Sequence, residues 1–416
     1  MTLAHGATWA ICLAAIAGVI VRPWRTPEAA WAVAGAVALV ALSLVPWRQA
    51  LEGVAKGTDV YLFLAGMMLL AELGRSERLF DWLAARAARI ARGSPSRLFA
   101  LVYGVGVVVT VFLSNDATAV VLTPAVLAAA RAARADPLPH VFACAFVANA
   151  ASFVLPIANP ANFVVFGSGL PPLGAWLARF ALPSFAAILT TFVALRRTQR
   201  GALQGALASD VPAPALTRGG RVAAGGLVAA AFALTLASAF GLDLGAATFA
   251  TAIATLAVVL GVEGKSPWTI GRQVTWSILP LVAGLFVLVE GMRRTGTIAW
   301  LQAVLADAAS RSAPGTASLA GIVVALACNL LNNLPAAFVA GPAAAGVHAD
   351  PRIIDAILVG IDLGPNLSVT GSLATILWLA ALRRDGVHVR GVEFLRIGAR
   401  VMPPALVLAL AAVVAV

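Results

Sequence analysis

Runs of roughly 17–25 apolar residues, the length a helix needs to cross a bilayer, recur from one end of this 416-residue sequence to the other. Hydrophobic residues make up 61% of the chain and charged ones 11%, with a mean hydropathy of +0.93. A soluble domain has no use for that much apolar surface, so the expected class is an all-α polytopic membrane protein. The net charge is +11, and Lys56 and Lys265 are the only lysines, so arginine supplies nearly all of it. These arginines sit in short loops between apolar runs, as expected of cytoplasmic loops in a multi-pass protein. Nucleic acid is therefore not an expected partner. Cys12, Cys144 and Cys328 are far apart in apolar runs and form no metal or redox motif. His5, His140, His348 and His388 fall in a terminus or in loops, so no membrane run offers a histidine for hydrolysis. No cleavable signal is expected, because the first run lacks a basic start and continues into Arg22-Pro23-Trp24-Arg25.

Along the chain, spans are expected at about Ala7–Val21, Glu28–Val45 and Gly57–Leu73, followed by an amphipathic basic segment from Arg75 to Arg97 lying along the interface. The run from Leu98 to Ala130 is broken at Ser114–Asp116 and has arginines at both ends, which predicts a re-entrant hairpin over 98–134. Residues 140–170 predict a helix broken at Leu155–Asn162, and a span to Leu195 completes a first half over 1–195. The polar stretch 196–221, with five arginines, is a cytoplasmic linker. A second half over 222–416 then offers two spans, a hairpin over 316–345 and a broken helix over 352–382.

The halves repeat. A constant shift of 218 aligns Gly66 with Gly284, Glu72 with Glu290, Trp82 with Trp300, Asn115 with Asn333 and Pro124 with Pro342. Matches of Glu, Trp, Asn and Pro at one shift are informative where alanine and leucine matches are not. With the arginine-rich loops all on one side, the second half runs in the opposite sense to the first. That is the inverted arrangement secondary transporters use around a midplane site. The expected total is ten spans plus two hairpins with both termini outside; twelve spans is the alternative.

Candidate site residues cluster at the breaks. Pro156, Pro160 and Pro365 would leave the carbonyls of Ser152, Pro156 and Ile361 without helical donors. Such breaks survive at membrane depth where they line a polar cavity. The expected lining is Ser114, Asn115, Asp116, Thr118, Ser152, Asn159 and Asn162 from the first half, with Asn329, Asn332, Asn333, Asn366, Ser368, Thr370 and Ser372 from the second. Asp116 and Asp362 are the acids next to these breaks and the candidates for a coupled proton. Glu72 and Glu290 each lie three residues before an arginine and are expected in interfacial ion pairs.

Three stretches carry a family resemblance: Phe112 to Pro124 (FLSNDATAVVLTP), Asn149 to Asn162 (NAASFVLPIANPAN) and Asp362 to Thr375 (DLGPNLSVTGSLAT). The chain resembles the bacterial arsenite efflux pumps of the ion transporter superfamily, whose relatives include sodium/proton antiporters and dicarboxylate carriers. The resemblance implies a transporter, not an enzyme, exporting arsenite and antimonite across the bacterial inner membrane on the proton motive force. In some such systems a cytoplasmic arsenite-stimulated ATPase assists; no cofactor is implied. The residues fit a neutral trihydroxide. Amides and hydroxyls suit it, no arginine lies near the breaks to clamp a dicarboxylate, and the absence of a cysteine cluster lets the cargo leave. The expected mechanism is antiport, with Asn115, Asn159, Asn333 and Asn366 as ligands and Asp116 or Asp362 as the proton carrier. The alternatives are a sodium/proton antiporter and a passive channel subunit of an ATPase-driven pump.

Overall fold

The computed structural model describes residues 3–21, 23, 26–167, 170–208, 215–345 and 350–416, and these contain helices and no strand. Arg22, Trp24, Arg25, His348 and residues 209–214 of the linker lie outside the described residues. The first half runs α1 (Leu3–Val21), α2 (Glu28–Ala41), α3 (Trp47–Ala55), α4 (Thr58–Ser76), α5 (Leu79–Ile90) and α6 (Pro95–Phe112). It continues through α7 (Asn115–Ala117), a π turn (Thr118–Leu122), α8 (Thr123–Ala132), α9 (Pro137–Ala150), α10 (Pro160–Phe166) and α11 (Leu173–Thr198). The second half is α12 (Arg218–Ala239), α13 (Leu244–Glu263), α14 (Pro267–Gly271), α15 (Ile278–Arg294) and α16 (Thr297–Arg311). It closes with α17 (Ala313–Leu331), α18 (Asn333–Ala345), α19 (Arg352–Leu363), α20 (Leu373–Arg384) and α21 (Gly391–Ala415).

The repeat is visible in the helix starts. Leu79, Pro95, Asn115 and Leu173 begin helices, and so do Thr297, Ala313, Asn333 and Gly391, each 218 residues later. The start signals repeat with them. Ser94 accepts from the Arg97 amide at 3.3 Å and Ser312 from the Gly315 amide at 3.1 Å, each hydroxyl satisfying a helix N-terminus that has no partner of its own.

Packing exchanges the halves. α4 lies against α13, and their repeat mates α15 and α2 lie against each other. Small residues permit both approaches, as is usual where helices meet in lipid. A β-carbon on Gly66 would stand 2.9 Å from the backbone of Thr248 and Phe249, and one on its mate Gly284 2.7 Å from the backbone of Ala32.

Each half holds a hairpin and a broken helix. At the base of the first hairpin, Leu207 donates to the Gly93 carbonyl at 2.8 Å and Ala208 to the Ala133 carbonyl at 2.9 Å. Two consecutive linker residues therefore bind both ends of the hairpin, so α6 and the α7–α8 arm enter and leave on one face. That is re-entrant geometry. In the second half α16 packs on both arms of the α17–α18 hairpin, as α5 does on the first. Length alone conceals this. Among the described residues six helices, α6 and α17 among them, are apolar and long enough to cross a membrane, or seven spans if α3 and α4, bent by 48°, count as one.

The senses of the halves follow from α11, which ends at the linker face. α9 starts beside the hairpin base on that face. α19 starts where Asp355 pairs with Arg179, near the other end of α11. The broken helices are repeat mates that enter from opposite faces and meet midway, so the repeats are inverted. If packing at the paired glycines holds the halves together, Gly66→Ala and Gly284→Ala each lower thermal stability in detergent by about 1–3 kcal/mol, the usual cost of overpacking. Gly104→Ala, with nothing within 4 Å of the new carbon, leaves it unchanged.

Candidate functional site

The carbonyls that proline frees in the first break are closed from within the protein. The Asn162 side-chain nitrogen lies 2.9 Å from the Ser152 carbonyl, 3.2 Å from that of Pro156 and 3.4 Å from that of Leu155. These carbonyls were expected to line a cavity; one amide covers them instead, because an unpaired carbonyl at this depth costs more than the amide does. In the second break Asn329 donates to the Gly364 carbonyl at 3.1 Å, which also accepts from the Leu367 amide at 3.0 Å, while the Ile361 carbonyl that Pro365 frees meets the Cys328 thiol. The Asn329 side-chain oxygen accepts from Ser368 at 2.7 Å, its backbone carbonyl accepts from Thr370 at 2.9 Å, and Asn332 donates to the Thr370 carbonyl at 3.1 Å. The second hairpin tip is thereby fastened to the second break. Asn333 is buried beside it.

Where the broken helices meet, side chains of opposite halves bond to each other. Asn159 donates to one oxygen of Asp362 at 2.6 Å, while its own oxygen caps α10 through the Ala161 amide at 3.0 Å. Asn149 donates to the Asn366 side chain at 3.0 Å and to Thr375 at 3.4 Å, and Asn366 donates to the Phe146 carbonyl at 3.0 Å. Ser372, 213 residues after Asn159, caps α20 as Asn159 caps α10. Asp362, Asn366 and Asn162 are fully buried. Among the described residues, three acceptor atoms of these side chains have no donor: Asn149 Oδ1, Asn162 Oδ1 and the second oxygen of Asp362. Asn149 and Thr375 were not among the candidates, although both stand inside the resemblance-bearing stretches. Asn149 is a lone amide in an otherwise apolar helix, and that was the available signal.

The first hairpin tip is built differently. Ser114 caps α7 through the Ala117 amide at 3.1 Å, and Asn115 accepts from the Asp116 amide at 2.9 Å. The hydroxyls of Thr118 and Thr110 bond at 2.8 Å, and Thr123 reaches the Thr118 carbonyl at 3.1 Å across the π turn. Asp116 is half-buried and, with Ser114, lines a cavity of about 710 Å³ whose mouth carries Glu72, Arg75, Asp81 and Arg384. Arg75 is committed to Glu72 at 2.5 Å and to Gln273, as the sequence spacing suggested for the acid. A second cavity of about 720 Å³ lies between α10, α15 and α18. The single polar cavity expected from the sequence is thus two cavities and a buried network between the breaks. Among the described residues no cluster of three or more His, Cys, Asp or Glu side chains could hold a metal ion. Cys328 is buried, its thiol 3.9 Å from the Ile361 carbonyl that Pro365 frees.

The citrate transporter family matches residues 13–366. The chain belongs to that family. Over 361 residues it is 28% identical to the arsenical pump membrane protein of Yersinia enterocolitica, covering 83% of this chain and 82% of that one. The protein of the same description in Escherichia coli strain K12 is 28% identical over 364 residues, with the same coverage. An uncharacterized transporter of Mycobacterium tuberculosis is 25% identical over 419 residues, covering 96% of each chain. Among solved structures, the YdaH transporter of Alcanivorax borkumensis, described as having an unusual topology, superposes with a TM-score of 0.63 over 90% of this chain and 88% of that one. At 15% identity that likeness shows the fold alone. The protein is a multi-pass membrane transporter, and the family resemblance carried by its motifs is matched by these relatives.

Asn162 acts through the backbone it covers, so Asn162→Ala should lower stability by about 1–3 kcal/mol, the cost of leaving buried partners unsatisfied. The KM of the folded fraction for cargo should stay unchanged, as a transport assay on protein normalised for folded amount would show; a raised KM would make Asn162 a ligand.

Proposed function

We propose that this transporter exports arsenite, and antimonite with it, as the neutral trihydroxide in exchange for protons across the bacterial inner membrane. The observation that carries the reading is the surplus of buried acceptors at the meeting of the breaks, Asn149 Oδ1 and one oxygen of Asp362. A trihydroxide brings hydroxyl donors and no charge, so it can satisfy acceptors at membrane depth without the desolvation cost of an ion. The name shared by the Yersinia and Escherichia relatives supports the same cargo. Asn159 and Asn366 then serve by holding the network, because their amides are already engaged, while Ser114 and Asp116 at the cavity, with Asn115 buried between them, receive cargo from the arginine-rich, cytoplasmic face. Thr118, Asn332, Asn333, Thr370 and Ser372 shape the tips and caps around it.

Inverted repeats supply the two access states, and a proton bound at Asp116 or Asp362 resets the carrier. All three cysteines are buried and separate, so release does not have to break thiolate bonds to arsenic. Nothing in this cycle requires an ATPase, although a cytoplasmic arsenite-stimulated one is compatible with the arginine-rich face.

A second reading has its own support. The family's description names citrate, and Arg384 stands at the mouth of the Asp116 cavity, where a carboxylate cargo would meet a cation first. Everted vesicles containing this protein and no ATPase separate the readings. Under an imposed proton gradient, sodium-independent accumulation of radiolabelled arsenite, not competed by citrate, is expected. Citrate uptake without arsenite uptake would establish the second reading. Sodium-dependent collapse of the gradient without either cargo would make the protein a sodium/proton antiporter.

Of the two acids, the proton carrier should lose gradient-driven accumulation on Asp→Asn substitution yet keep exchange of labelled for unlabelled arsenite in the absence of a gradient. If both Asp116→Asn and Asp362→Asn retain full gradient-driven accumulation, neither carries the proton.

A further inference from the structure

The two cavities are related by the repeat. Glu72, Arg75 and Pro124 line one; Glu290, Arg293 and Pro342, each 218 residues later, line the other. They open on opposite faces. The Asp116 cavity ends at Arg384, next to the Asp385 carbonyl that accepts from Arg131 at the hairpin base. The other reaches Pro172 and Gly241, where α11 starts and α12 has just ended, both a full helix length from the linker. Their depths differ. The first cavity reaches the tip of its hairpin at Ser114, Asp116 and Ala117, whereas the second meets its own hairpin at Phe338, Pro342 and Ala345 and stops short of Asn332–Leu334.

Aromatic rings stand where the second cavity stops. Phe286 and Phe338 pack edge to face, with centroids 5.2 Å apart and planes at 86°, and Tyr61 braces Phe286 at 6.3 Å. Under the repeat, Phe286 corresponds to Met68 and Phe338 to Val120, both of which line the cavity that does reach its tip. The same fold is therefore open at one end with Met and Val, and closed at the other with two phenylalanines.

We propose that the second cavity is the exit vestibule for the transported cargo, a further binding site for the same small polar solute, and that Phe286 and Phe338 form its gate. This rests on the transporter reading but not on the identity of the cargo. The edge-to-face pair is a discrete contact that can break and re-form, and its opening would expose Asn332, Asn333 and Leu334 to the outer face as Ser114 and Asp116 are exposed to the inner one. Leu334 marks the event, being the repeat mate of Asp116.

The test is labelling by a membrane-impermeant thiol reagent of the full-length protein in intact cells, in a background with Cys12, Cys144 and Cys328 replaced by alanine. Ala345→Cys, at the vestibule wall, should label from outside, and Val120→Cys should label only in everted vesicles. Leu334→Cys should label slowly from outside and about tenfold faster when Phe338→Val or Phe286→Met is added, since removing one ring shifts the population toward the open gate. A Leu334→Cys rate unmoved by both gate substitutions, with Ala345→Cys labelling normally, overturns the gate. Labelling of Ala345→Cys from the linker face alone overturns the exit vestibule. Neither readout uses arsenite, so failure of arsenite transport in vesicles and failure here are separate results.

Discussion

A helix broken at membrane depth leaves backbone groups that lipid cannot satisfy, and the interior of this protein is arranged around that constraint. Asn162 covers the freed carbonyls of the first break, and Asn329 ties the second break to its hairpin through the Gly364 carbonyl and the Ser368 hydroxyl. With the backbone settled locally, the remaining polar atoms are free to bond across the halves, Asn159 to Asp362 and Asn149 to Asn366. Trp378 on α20 adds a donor to the Val141 carbonyl of α9 at 2.9 Å, and Trp176 on α11 one to the Phe153 carbonyl at 3.2 Å. The breaks are weak points held by side chains, and unpaired acceptors on Asn149, Asn162 and Asp362 remain buried there.

The inverted repeat supplies the scaffold, and its exceptions supply the chemistry. Where the halves agree, as at Gly66 and Gly284 or Ser94 and Ser312, the residues pack or cap helices. Where they disagree, the residues have something to do. Asp116 stands opposite Leu334, Asn329 opposite Val111 and Phe286 opposite Met68. The second hairpin is tied to its break by Asn329 and Asn332, whereas the first has Val111 and Ser114 at those positions. A symmetric frame with asymmetric side chains gives two ends whose cavities differ in their lining and in how far they reach toward the hairpin tips.

Much of this was legible in the sequence. Helical class, repeat, hairpins and broken helices follow from apolar run lengths and from Glu, Trp, Asn and Pro recurring at one shift, because those residues are costly in lipid and do not recur by composition. Span counting was less secure, since α6 is as long and apolar as a span and only the Gly93 and Ala133 bonds to the linker show that its hairpin returns. The polar residues at the breaks were legible as interruptions of apolar runs, and their geometry was not. Nothing in the stretch from Asn149 to Asn162 says that Asn162 turns back onto three carbonyls while Asn149 reaches the other half, because side-chain direction at a break depends on long-range packing. For the same reason one polar cavity was expected where there are two, separated by bonds between residues more than 200 positions apart.

The central claim is that the breaks of the two halves act as one polar unit, and a double-mutant cycle on Asn159 and Asp362 tests it most directly. Stability and gradient-driven transport would be measured for Asn159→Ala, Asp362→Ala and the double variant. One shared bond implies a coupling energy above about 0.5 kcal/mol, the level at which contacting residues depart from additivity, with the double variant little worse than the more damaging single one. Strictly additive losses in both measurements would mean that the two residues act independently and that the network joining the halves is not what the transport site is built on.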